Sequence, residues 1–300
     1  MILPRIFVTC VASLLLATSS VKADHPFQFR DGDRVVLLGG TLVEREQKYG
    51  SWELAMTLAN RDKHVTFRNL GWSGDTVWGE SRNSFDPSPK GYERMVTLTK
   101  ELKPTVIVTC FGQNESFDGP KGLKAYTSQY EKLLNEIAKT KARIVLMSPT
   151  PFENVPPMKD TDAKNKNLQL YVTAIQGLAK ARKLEFVDLY TLASQQSEHF
   201  TENGIHMNSV GYDITARAFT TTIPAIPLGS QTEAIRSKII EKNQLFFHRW
   251  RPQNETYLFG FRKHEQGQNG KEIPEFDPLI VKVESEITEL RNPAKKDGAK

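Results

Sequence analysis

After residue 30, short runs of apolar residues alternate with longer stretches in which apolar side chains recur every three or four positions. Residues 34–38 (RVVLL), 65–70 (VTFRNL), 105–111 (TVIVTCF), 144–148 (IVLMS) and 184–189 (LEFVDL) are brief and rich in β-branched side chains. Each is closed by Gly, Pro or polar residues, so each is predicted to be a strand. Between them, residues 49–60, 92–102, 122–140 and 162–182 carry helical spacing, and a further helix is predicted to begin near Ser209. Runs that stay apolar on both faces need cover on both sides, which predicts a parallel sheet between two helix layers. In such sheets the working residues gather on loops at the carboxyl ends of the strands.

The alternation stops at residues 223–230 (IPAIPLGS), where two prolines and a glycine mark the expected end of a core domain spanning 24–228. A helical stretch (232–247), an aromatic and basic passage (248–264, HRWRPQNETYLFGFRKH) and a last helix (278–291) form an extension, 229–291, expected to pack on the core. The charged tail, 292–300, is expected to be disordered. At the other end, a cationic start (Met1 to Arg5), an apolar run and the small-x-small step Val21-Lys22-Ala23 form a secretory signal over 1–23. Export to the periplasm or the extracellular space is therefore expected, with no stable membrane span once the signal is removed.

Composition changes this picture little. In 300 residues, 39% hydrophobic and 25% charged, there is enough apolar material for a sizeable core. Loss of Arg5 and Lys22 with the signal leaves 38 basic against 35 acidic residues, too balanced a surface to expect a nucleic-acid partner. Cys110 would be the sole remaining cysteine, set in a strand pattern where a buried thiol is expected.

The candidate chemistry sits on four strand-end loops. Gly39-Gly40-Thr41 follows the first strand; by itself it reads as a helix N-cap. Gly71-Trp72-Ser73-Gly74-Asp75-Thr76 follows the second, and its glycine can offer a backbone N–H to an anion. Gly112-Gln113-Asn114-Glu115 follows the third, where the Asn114 amide can donate into the same crevice. Far downstream, Asn203-Gly204-Ile205-His206 precedes a helix and offers a general base. Any one of these loops alone is an ordinary turn.

Taken together and in this order, the four motifs resemble the SGNH (GDSL-like) hydrolase family over about residues 33–220. The resemblance implies a three-layer α/β/α, flavodoxin-like fold with a five-stranded parallel sheet of order 2-1-3-4-5. It implies ester hydrolysis by hydroxyl attack, with Thr41, His206 and Asn203 in the triad positions. Thr41, Gly74 and Asn114 would supply the oxyanion hole. Two positions depart from the family: Thr41 stands for its nucleophilic serine, and Asn203 for its triad aspartate. Glu202 is the nearest alternative acid, and Ser73 a spare hydroxyl on the oxyanion loop.

Trp72, Trp78 and Glu115 are candidate substrate contacts, indoles beside a polar crevice being suited to sugar rings. A secreted esterase of small-molecule or carbohydrate esters, such as a deacetylase, is the leading expectation. A degenerate relative that binds glycans or anionic ligands is the alternative. No metal ligand set and no cofactor are expected; a flavin would need a hydroxyl-rich phosphate cradle that the first loop lacks.

Overall fold

The computed structural model describes residues 27–220 and 229–292. The expected signal segment, most of the 223–230 break and all but the first residue of the tail lie outside them. Five strands, β1 (Arg34–Gly39), β2 (Thr66–Gly71), β3 (Val106–Cys110), β4 (Arg143–Met147) and β5 (Glu185–Val187), form one parallel sheet of order β2-β1-β3-β4-β5. This is the expected order.

The pleat sorts each strand's side chains to opposite faces. In β1, Val35 and Leu37 pack with α1 (Thr41–Tyr49), α2 (Ser51–Ala59), α6 (Leu189–Ser194) and α7 (Ser209–Ala216). Val36 and Leu38 pack with α3 (Ser88–Glu101), α4 (Gly119–Ala138) and α5 (Thr161–Arg182) on the other side. The two layers account for the unbroken apolar runs of the inner strands.

The helix predicted at 49–60 is α2, and a helix that the spacing did not predict, α1, precedes it. Residues 41–59 form α1 and α2, separated by Gly50 at φ +64°, a conformation glycine adopts without strain. The polar look of α1 hid it from the periodicity, yet its Glu46 is buried and accepts hydrogen bonds from Trp52 N (2.7 Å) and Glu53 N (3.3 Å). A side chain from the first helix thus satisfies the open N–H groups that start the second.

The extension is α8 (Ser230–Trp250), two short helices α9 (Glu255–Leu258) and α10 (Lys263–Gln266), a 3-10 stretch (Gly267–Glu275) and α11 (Phe276–Arg291). Ile235 and Ile239 of α8 and Val283 and Ile287 of α11 close on Leu54 and Leu58 of α2. Lys242 is buried in an ion pair with Glu53 (2.8 Å) and also donates to Phe67 O of edge strand β2 (3.1 Å). Among the described residues no helix is long and apolar enough to cross a membrane.

Candidate active site

Sheet register brings three loops to one level. Gly39 pairs with Gly71 on one side and Cys110 on the other, so the chains leaving β1, β2 and β3 emerge side by side. Thr41 opens α1, and its Oγ1 accepts a hydrogen bond from Gly74 N at 2.8 Å. Gly74 aims that N–H by taking φ +73°. Asn114 Nδ2 donates to Asp75 O (3.2 Å), which holds the amide beside the same loop. Gly40, Thr41, Asp75, Gly112, Asn114 and Glu115 line one small cavity. The backbone N–H of Thr41, in the first turn of its helix, has no intrahelical acceptor.

Two buried side chains that the sequence reading did not single out, or placed elsewhere, fix this arrangement. Arg82 is fully buried: its Nε donates to Asp75 (2.5 Å) and its Nη2 to Leu70 O (2.8 Å) and Gly39 O (3.4 Å). It therefore ties the loop after β2 to the ends of β1 and β2. Nothing local in Glu80-Ser81-Arg82 signals this role. Glu115, a candidate substrate contact, instead accepts from Gly112 N (2.8 Å) and Val77 N (2.9 Å) and staples the second loop to the third. Burial pushes its carboxyl up to about 7, against the pull of those donors.

The tryptophans are also engaged. Trp72 is buried beneath the Arg251 guanidinium (3.6 Å), with Arg82 at 5.5 Å and the Trp250 ring edge-on at 5.8 Å. Arg251 in turn pairs with Glu44 (2.8 Å), which also receives the Ser73 hydroxyl. Trp72 is thus not an open sugar platform, because the extension covers it. Trp78 is half-buried against the core. Cys110 is buried and its thiol is pushed up by that burial, so it stays protonated.

His206 arrives from the far end of the core domain, after β5. A bridge between Thr201 and Met207 closes its loop, Asn208 caps α7 by accepting from Gly211 N (2.9 Å), and Tyr212 OH of α7 donates to Leu42 O of α1 (2.8 Å). That last bond fixes the loop against the helix that begins with Thr41. Thr41, Ser73 and His206 line a single cavity of about 450 Å³, and its far wall is Ile240, Gln244, Phe247 and His248 of α8. Thr41 stands at the junction of this cavity and the smaller one that holds Asn114.

Asn203 approaches the imidazole, its Nδ2 lying 3.3 Å from His206 Nδ1. Glu202 does not substitute for it: the carboxylate points outward to Arg45 (2.7 Å) and Tyr49 OH (2.8 Å). Burial, with Arg45 and Lys48, holds His206 below its ordinary 6.5 against the pull of Glu202. The ring is therefore neutral at pH 7. Among the described residues no cluster of His, Cys, Asp or Glu is built to hold a metal ion.

Residues 30–214 match the model of the GDSL-like lipase/acylhydrolase family. Among solved structures, the chain is similar to a catalytic mutant of Axe2, an acetylxylan esterase from Geobacillus stearothermophilus, with TM-score 0.52 and 17% identity over 64% of this chain and 94% of that one. It is also similar to LAE5, an alpha/beta hydrolase enzyme from the metagenome of Lake Arreo, Spain (TM-score 0.50, 17% identity, 64% and 94% covered). A gut microbial diltiazem-metabolizing enzyme matches at TM-score 0.49 and 19% identity over 64% of this chain, which spans about half (47%) of that enzyme. No curated protein sequence matches. With well over half its length matched, the chain belongs to the GDSL-like lipase/acylhydrolase family, the hydrolases that act on ester bonds.

Proposed function

We propose that this chain is an exported esterase that cleaves small-molecule or carbohydrate esters by attack of the Thr41 hydroxyl. The observation that carries this reading is the contact of Thr41 Oγ1 with Gly74 N at 2.8 Å, where Thr41 joins the cavity that holds Asn114 to the one that holds His206. An ester carbonyl oxygen entering there would replace Thr41 Oγ1 on Gly74 N–H and gain Asn114 Nδ2 and the first-turn N–H of Thr41 as further donors. Donors aimed at the developing oxyanion are usually the largest single contribution to catalysis, several kcal/mol.

His206 takes the Thr41 proton as the Oγ–C bond forms, then gives it to the departing alkoxide as the ester C–O bond breaks. Water deprotonated by His206 then attacks the acyl-threonine, and the acid leaves with Thr41 restored. A cavity walled by Phe247 and Ile240 but edged by Gln47, Gln244 and Lys48 suits a ring with one apolar face and a polar rim. The likeness to an acetylxylan esterase supports a sugar acetate as that ring, and the N-terminal signal pattern supports export.

Thr41→Val keeps the β-branched shape and removes the hydroxyl, while His206→Ala removes the base. Each is expected to lower turnover of p-nitrophenyl acetate and of acetylated xylo-oligosaccharides by roughly 10²-fold or more. Wild-type rates in both variants would exclude this mechanism.

A further inference from the structure

Asn203 does more than fill the place of an aspartate. Its Oδ1 accepts from two backbone groups, His206 N at 2.9 Å and Ile205 N at 3.2 Å. Backbone N–H groups only donate, so the amide cannot rotate without leaving both unsatisfied. The end that faces the imidazole is therefore the NH₂, with Nδ2 at 3.3 Å from His206 Nδ1. An NH₂ group has no acceptor to offer. A neutral imidazole in this contact accepts at Nδ1 and carries its proton on Nε2.

We infer that Asn203 is a positioning residue that holds His206 as the Nε2–H tautomer, so that the ring meets the Thr41 cavity as a hydrogen-bond donor and not as a base. The inference concerns the same site as the esterase reading and sets its rate. To deprotonate Thr41, His206 must first move its proton to Nδ1, which sets two N–H groups against each other across the Asn203 contact. Once protonated, the ring would face Arg45 and Lys48 from α1 and His248 across the cavity; the carboxylates in reach are Glu202, held by Arg45 and Tyr49, and Glu44, held by Arg251. The lowered basicity of His206 agrees with this setting. Gly74 N, Asn114 Nδ2 and the His206 ring then all stand as donors around Thr41, a set that suits a carbonyl or carboxylate oxygen.

Asn203→Asp keeps an Oδ1 for the two backbone donors and turns Oδ2 to Nδ1, where it can accept only from Nδ1–H. The test is a long-range ¹H–¹⁵N spectrum of histidine-labelled protein at pH 8, with His206 assigned by loss of its signals in His206→Gln. The wild type is expected to give the Nε2–H pattern and Asn203→Asp the Nδ1–H pattern. The variant's turnover of p-nitrophenyl acetate should rise at least 10²-fold, since the reverse change in a serine-protease triad costs about 10⁴. An Nδ1–H pattern in the wild type overturns the inference, and that spectrum does not depend on whether the variant folds. An active wild type whose tautomer flips with no gain in rate overturns the claim that the tautomer limits catalysis. A flip in proteins that hydrolyse nothing upholds Asn203 as the tautomer's determinant and defeats the Thr41 reading instead.

Discussion

Glu115 and Arg82 illustrate how a single side chain can look like chemistry or like nothing and prove to be a structural tie. Glu115 is buried with both carboxylate oxygens on backbone N–H groups from two different loops. Replacing it by Gln puts an NH₂ against one of those donors, with an expected cost of about 1–3 kcal/mol. The raised pKa of Glu115 also has a sign. The folded state holds this proton more tightly than the unfolded chain, so the linked stability is full below pH 4.5 and is lost as pH rises through about 7. Urea unfolding of wild type and Glu115→Gln at pH 5 and pH 8 should show a lower midpoint in the variant and a shallower pH dependence. Equal pH slopes would remove Glu115 as their source. Asn114 beside it was readable from its motif because the Gly-x-Asn-Glu spacing is short and local. Arg82 was not, since its three acceptors come from three separate strand ends and loops.

Helix α8 acts on two fronts, as a brace and as a wall. Its buried Lys242 neutralises Glu53 of α2 at 2.8 Å, out of reach of solvent. Lys242→Ala leaves that carboxylate buried and unpaired, for which about 3–5 kcal/mol of destabilisation is expected. Lys242→Met combined with Glu53→Leu should recover most of the loss in the same denaturation assay, because the pair rather than either charge is what the site tolerates. If the double variant is no better than the single one, packing rather than charge governs the contact. On its other side, Ile240, Gln244, Phe247 and His248 face the Thr41–His206 cavity. Nothing in the helical spacing of this stretch distinguishes a residue that meets a neighbouring helix from one that meets a substrate. The aromatic and basic passage that follows both packs on the core and covers the second loop. Arg251 serves both, by stacking on Trp72 and pairing with Glu44, which also binds Ser73.

Core and extension share the cluster of Leu54, Leu58, Ile235, Ile239, Val283 and Ile287, as well as the buried Lys242–Glu53 pair. They should therefore unfold together: tryptophan fluorescence and far-ultraviolet circular dichroism are expected to give one coincident urea transition. Two separated transitions would mean that the extension is an independent unit. The strands and the four motif-bearing loops at their ends were open to a reader of the chain because each depends on neighbours in sequence. β-branched runs, glycines at strand ends and short motifs carry their meaning within a few residues, and the motifs' order carried the sheet order through the family they resemble. What folding alone could settle was which groups from distant segments share a cavity and which way each polar group must face. The Asn203 amide is directed by backbone donors, Glu202 is drawn outward by Arg45, and the wall opposite Thr41 comes from a helix some two hundred residues later. Such facts depend on satisfying hydrogen bonds and charges in three dimensions, which no local pattern encodes.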